Sequence, residues 1–85
     1  MSCLQALSLE LMRIPDLLEL HELHVWTLSS SKLVASMHVI VMENSDFMSI
    51  SDRMKEILHS FGIHSTTIQP EFISSLEVGS FHLME

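Results

Sequence analysis

Leu33-Val34-Ala35-Ser36-Met37-His38-Val39-Ile40-Val41-Met42 is the stretch on which the fold turns. It is almost continuously apolar and rich in Val and Ile, the composition typical of a central strand. Alternation assigns Leu33, Ala35, Met37, Val39 and Val41 to one face and Val34, Ser36, His38 and Ile40 to the other. Upstream, Ser29-Ser30-Ser31-Lys32 is a tight polar turn, so residues 20–28 form the other arm of a hairpin. Strict alternation there puts His21, Leu23, Val25 and Thr27 on one face and Glu22, His24, Trp26 and Leu28 on the other. Downstream, Glu43-Asn44-Ser45-Asp46 breaks the strand and offers Ser45 or Asp46 as a helix cap. Phe47, Ile50, Met54, Ile57, Leu58 and Phe61 then recur at helical spacing, with Ser51, Asp52, Arg53, Lys55 and Glu56 on the wet side. Gly62 stops this helix. Residues 63–69 read as a third strand, ended by Pro70.

Ahead of the hairpin, Leu4, Leu7 and Leu11 mark a short amphipathic helix over residues 4–12, closed off by Pro15. The element order is therefore α-β-β-α-β. The fold class is α+β, an open-faced sandwich with two helices on one side of a three-stranded sheet. The crossover through the long helix makes the third strand parallel to the second. The domain is expected over residues 1–72. A tail over 73–85 is packed on the domain or a partner, or is disordered.

One chain of 85 residues and 9.7 kDa is one small domain. A chain of this size buries only about 60–65% of its unfolded surface, so a partner helps it, and the uncovered sheet face suggests a homodimer. Four basic residues against eleven acids give a net charge of -7, which excludes nucleic acid as a natural partner and favours cations. No run of eighteen apolar residues occurs. Cys3 is the only cysteine, so no disulfide and no Cys-x-x-Cys site forms within the chain, which suits a reducing compartment. The first residues lack the basic region of a signal peptide. There is no Gly-x-Ser-x-Gly elbow and no glycine-rich phosphate loop, and the expectation is that the protein is not an enzyme.

The six histidines are the unusual feature. His38 lies within an apolar strand, where its ring nitrogens need partners. Two readings stand: a neutral histidine bonded to backbone, or a metal donor. The hairpin places His21 across from or diagonal to His38, near enough for two imidazoles to share an ion. Glu71 follows the third strand and can supply an oxygen. His21, His38 and Glu71 make an ordinary zinc set, with water or His82 as a fourth donor. His24 is excluded because strand parity separates it from His21. His59 suits the helix C-terminus, and His64 reads as an edge residue. Trp26 is expected to be structural, as a buried ring in the core or at a dimer contact.

Three blocks also resemble a known family. His21-Glu22-Leu23-His24-Val25-Trp26-Thr27-Leu28, Ala35-Ser36-Met37-His38-Val39 and Gly62-Ile63-His64-Ser65-Thr66-Thr67-Ile68-Gln69-Pro70-Glu71-Phe72 look like the C-terminal cytoplasmic domain of cation diffusion facilitators, the zinc and divalent-metal transporters. The likeness spans roughly residues 12–72. It implies a metallochaperone-like, ferredoxin-like fold and a two-fold homodimer on the cytoplasmic side of a vacuolar, other organellar or plasma membrane, joined to the transporter's own transmembrane domain. It also implies metal sites near the dimer seam, with His21, His38 and Glu71 at ligand positions and Zn2+ or another divalent transition metal as the ion. Two features depart from some relatives: residues 43–48 contain no histidine, and the tail contains no Cys-x-x-Cys pair.

Overall fold

The computed structural model of the chain describes residues 3–74. It contains α1 (Cys3–Leu11), β1 (Leu17–Ser29), β2 (Lys32–Met42), α2 (Phe47–Ser60) and β3 (Ile63–Ile73). The strands lie in the order β1-β2-β3, with β1 antiparallel and β3 parallel to β2. The apolar run of residues 33–42 is thus the middle strand, and the α-β-β-α-β sandwich is the one its pattern implies.

One face of β2 makes the core. Ala35, Met37, Val39 and Val41 are buried together with Leu7 and Leu11 of α1 and Ile50, Met54 and Leu58 of α2. Both helices therefore cover this face. Each large aliphatic side chain removed from water here stabilises the fold by about 1.5–3 kcal/mol. The ends of α2 are set chemically. The Asp46 carboxylate accepts the Ser49 backbone N–H at 3.4 Å and the Ser49 hydroxyl at 2.9 Å. Gly62 takes φ 85°, a left-handed conformation that glycine adopts freely, and its N–H donates to the His59 carbonyl at 2.9 Å.

Three details depart from the sequence reading. β1 begins at Leu17, so Glu19 belongs to the sheet and not to a lead-in. β3 does not end at Pro70 but continues to Ile73, which is buried. β3 is an edge strand, where a proline's missing N–H can face away from the ladder. Phe72 and Ile73 are therefore strand residues opposite Val41 and Met42. Residues 75–85 of the proposed tail, with His82 among them, lie outside the described residues.

The third departure is a β-bulge. Glu22 has φ 51°, and the β1–β2 register slips between His21, opposite His38, and His24, opposite Ser36. Two residues of β1 there oppose one of β2, which inverts the alternation beyond that point. Leu20, Leu23 and Val25 all pack on the core, while His21, His24 and Trp26 share the other face. The parity argument that set His21 and His24 on opposite faces is wrong for this reason.

Candidate metal centre

The face of the sheet away from the helices carries the polar residues. His21 and His38 are directly opposed across β1 and β2, with ring centroids 6.2 Å apart and planes tilted by 47°. Glu71 of β3 is aligned with Ile40, two residues along from His38, and so shares this face. Its Oε1 lies 3.6 Å from His38 Nε2. On the other side, His21 Nε2 lies 3.3 Å from Glu19 Oε1. The side chains of His21 and His38 are 39% and 33% exposed, so neither ring is sealed in the core.

The fit to a metal rests on these distances. Donors about 2.0–2.2 Å from a tetrahedral zinc stand about 3.4 Å from each other. The His38–Glu71 separation of 3.6 Å is close to that spacing. The two imidazoles lie near enough to converge after modest rotation, and their partial exposure leaves room for it. As placed, however, no group of three or more His, Cys, Asp or Glu side chains among the described residues is gathered tightly enough to hold an ion. His21 instead turns towards Glu19. The chemistry of the donor set, imidazole nitrogen with carboxylate oxygen, is that of a zinc-type site. These side chains fit such an ion as ligands, and when bound it would supply positive charge and a link between strands.

The remaining candidates fall elsewhere. His24 is exposed opposite Ser36, on the same face as the His21–His38 pair. His59 and His64 meet edge-to-face at 4.2 Å between centroids, where the end of α2 meets the start of β3, remote along β2 from His38. Trp26 is not a buried core residue. It lies opposite Val34 on the helix-free face and is 44% exposed, because the bulge turned its strand over. Pattern reading starts the first strand at residue 20 and so omits Glu19, which the structure places within β1. The Glu-x-His spacing of Glu19 and His21 is the signal that marks it, once the strand is extended by one turn of alternation.

Residues 4–72 match the family model of the cation efflux protein, cytoplasmic domain. The chain belongs to the cation diffusion facilitator family, as its cytoplasmic C-terminal domain. This domain is 42% identical over 65 residues to the proton-coupled zinc antiporter SLC30A1 of Homo sapiens, a match covering 76% of this chain and 13% of that one. It is also 42% identical over 66 residues to the vacuolar zinc transporter ZRC1 of Saccharomyces cerevisiae, covering 76% of this chain and 15% of the relative. The chain thus spans about a seventh of the length of these relatives. Among solved structures, the metal-bound C-terminal domain of the CzcD transporter from Cuprividus metallidurans superposes with a TM-score of 0.76 at 27% identity, covering 84% of this chain and all of that one. The family places the domain on the cytoplasmic side of a membrane transporter. Domains of this family serve metal-related regulation and dimerisation and are not catalysts. Among the described residues no helix is long and apolar enough to cross a membrane.

Proposed function

We propose that this domain is the metal-binding, dimer-forming regulatory part of a divalent-cation efflux transporter, and that zinc is its ion. His21, His38 and Glu71 hold the metal on the helix-free face of the sheet, close to the seam of a two-fold homodimer. The observation that carries this reading is the direct opposition of His21 and His38, with the Glu71 carboxylate 3.6 Å from His38. The zinc-transporting relatives support the choice of ion, and the metal-bound bacterial domain supports a soluble-side site. The role follows from the chemistry. A cation shared by β1, β2 and β3 ties the sheet together and offsets part of a net charge of -7. Binding only the native arrangement, it stabilises the fold and any dimer that the same face forms. Joined to its transporter's membrane part, the domain is placed to report cytosolic metal to the transport unit.

Calorimetric titration tests this. The parent is expected to bind one zinc per chain at micromolar affinity or tighter. His21→Ala and His38→Ala should each lose most of that affinity, and Glu71→Ala should have a smaller effect because water can replace one oxygen. Binding should also weaken in mildly acidic buffer, where protons compete for imidazole nitrogen. Unchanged binding in both histidine variants would remove the shared site. A second reading, a dimerisation module without physiological metal, is favoured by the ungathered donors and by the exposed Trp26 on the same face. It predicts a dimer by light scattering, about twice 9.7 kDa, that zinc does not alter.

A further inference from the structure

The helix-free face holds a second carboxylate that the three-residue set does not use. Glu19 is aligned with Ile40 of β2, and Ile40 is aligned with Glu71 of β3. The two glutamates therefore flank one residue in a single row across the sheet. The next row on this face holds His21 opposite His38. Each histidine stands beside one glutamate: His21 Nε2 is 3.3 Å from Glu19 Oε1, and His38 Nε2 is 3.6 Å from Glu71 Oε1. Both distances bracket the spacing of about 3.4 Å expected between two donors of one tetrahedral ion.

Glu19 carries a further anomaly. Its Oε2 is buried and has no hydrogen-bond partner. A carboxylate oxygen withdrawn from water without a donor is destabilising. Such an oxygen is chemically incomplete, and what completes it must be a donor or a cation. No lysine or arginine makes an ion pair with it among the described residues. A divalent ion held by the neighbouring imidazoles would supply such a partner.

We infer that Glu19 is the fourth donor of the metal site, so that Glu19, His21, His38 and Glu71 form a two-histidine, two-carboxylate set within one chain. This rests on the shared site proposed above and replaces water or His82 as the fourth ligand. The set is also balanced in charge. Two carboxylates match a divalent cation, whereas one leaves a net positive charge on a partly covered face. The β1 register slip between Leu17 and Glu19 is what brings Glu19 to this face, opposite Ile40.

The test uses Glu19→Gln, which keeps shape and removes charge, alongside the parent. Three readings are taken: zinc affinity by calorimetry, melting temperature with and without zinc, and the visible spectrum of the cobalt(II)-loaded protein. Zinc affinity should fall at least tenfold. Without metal, Glu19→Gln should melt no lower than the parent, since a costly buried carboxylate has gone. Its zinc-induced melting shift should shrink, and the intense bands of four-coordinate cobalt should weaken or move. If the parent binds one zinc and Glu19→Gln binds it equally well, this inference fails while the three-residue site stands. A tenfold loss with an unchanged cobalt spectrum makes Glu19 a positioning partner of His21 and overturns its role as a donor. Two zinc ions per chain likewise overturn a single shared set. If the parent binds none, the site itself fails, and Glu19 with it.

Discussion

The two faces of the sheet obey different rules. On the helix-covered face, Ala35, Met37, Val39 and Val41 of β2 are at most 3% exposed and pack against Leu7, Leu11, Met54 and Leu58. On the open face, Val34, Ser36 and His38 stay partly exposed, opposite Trp26, His24 and His21. The first face satisfies itself within one chain. The second carries imidazoles, carboxylates and an indole that stay partly exposed. Stability is concentrated on the first face, and the proposed metal site lies on the second.

Substitutions on each face should separate these roles. The largest effect is expected from Leu58→Ala, which empties a fully buried position between α2 and the sheet. It should cost about 3 kcal/mol in urea unfolding and leave zinc affinity of the folded fraction unchanged. A cost below about 1 kcal/mol would mean the covered face is not the core. Trp26→Ala should cost less, about 1–2 kcal/mol in dilute protein, because its ring is 44% exposed. It should also weaken the dimer, seen as a lower mass by light scattering at a given concentration. Unchanged association would take Trp26 out of the contact. Gly62→Ala should cost about 1 kcal/mol through strain at φ 85°, although nothing lies within 4 Å of the added methyl. The smallest effect on metal-free stability, under about 1 kcal/mol, is expected for His38→Ala. If that variant instead unfolds readily with zinc binding intact, His38 is a structural histidine and the contrast between the faces breaks down.

Much of the fold was legible because its signals are local and periodic. The Val- and Ile-rich run named the central strand, the spacing from Phe47 to Phe61 named α2, and Gly62 named its end. The hairpin alone put His21 across from or diagonal to His38, and the structure makes the pairing direct. What alternation missed was the bulge, since nothing in Glu22 itself announces φ 51°. A single extra residue then moved His24 and Trp26 to the face of His21. Pro70 misled for a related reason. A proline stops a central strand but not an edge strand, and the position of β3 in the sheet is a tertiary fact. Glu19 was lost with the first residues of β1, whose pairing depends on β2 and not on their own pattern.

A crystal of this domain grown with zinc and measured at the zinc absorption edge decides whether His21, His38 and Glu71 share an ion. One anomalous peak per chain is expected on the helix-free face, about 2.0–2.2 Å from a nitrogen of His21, a nitrogen of His38 and an oxygen of Glu71. A peak at His59 and His64 alone, or saturating zinc with His21 and His38 bonded only to protein groups, would contradict it.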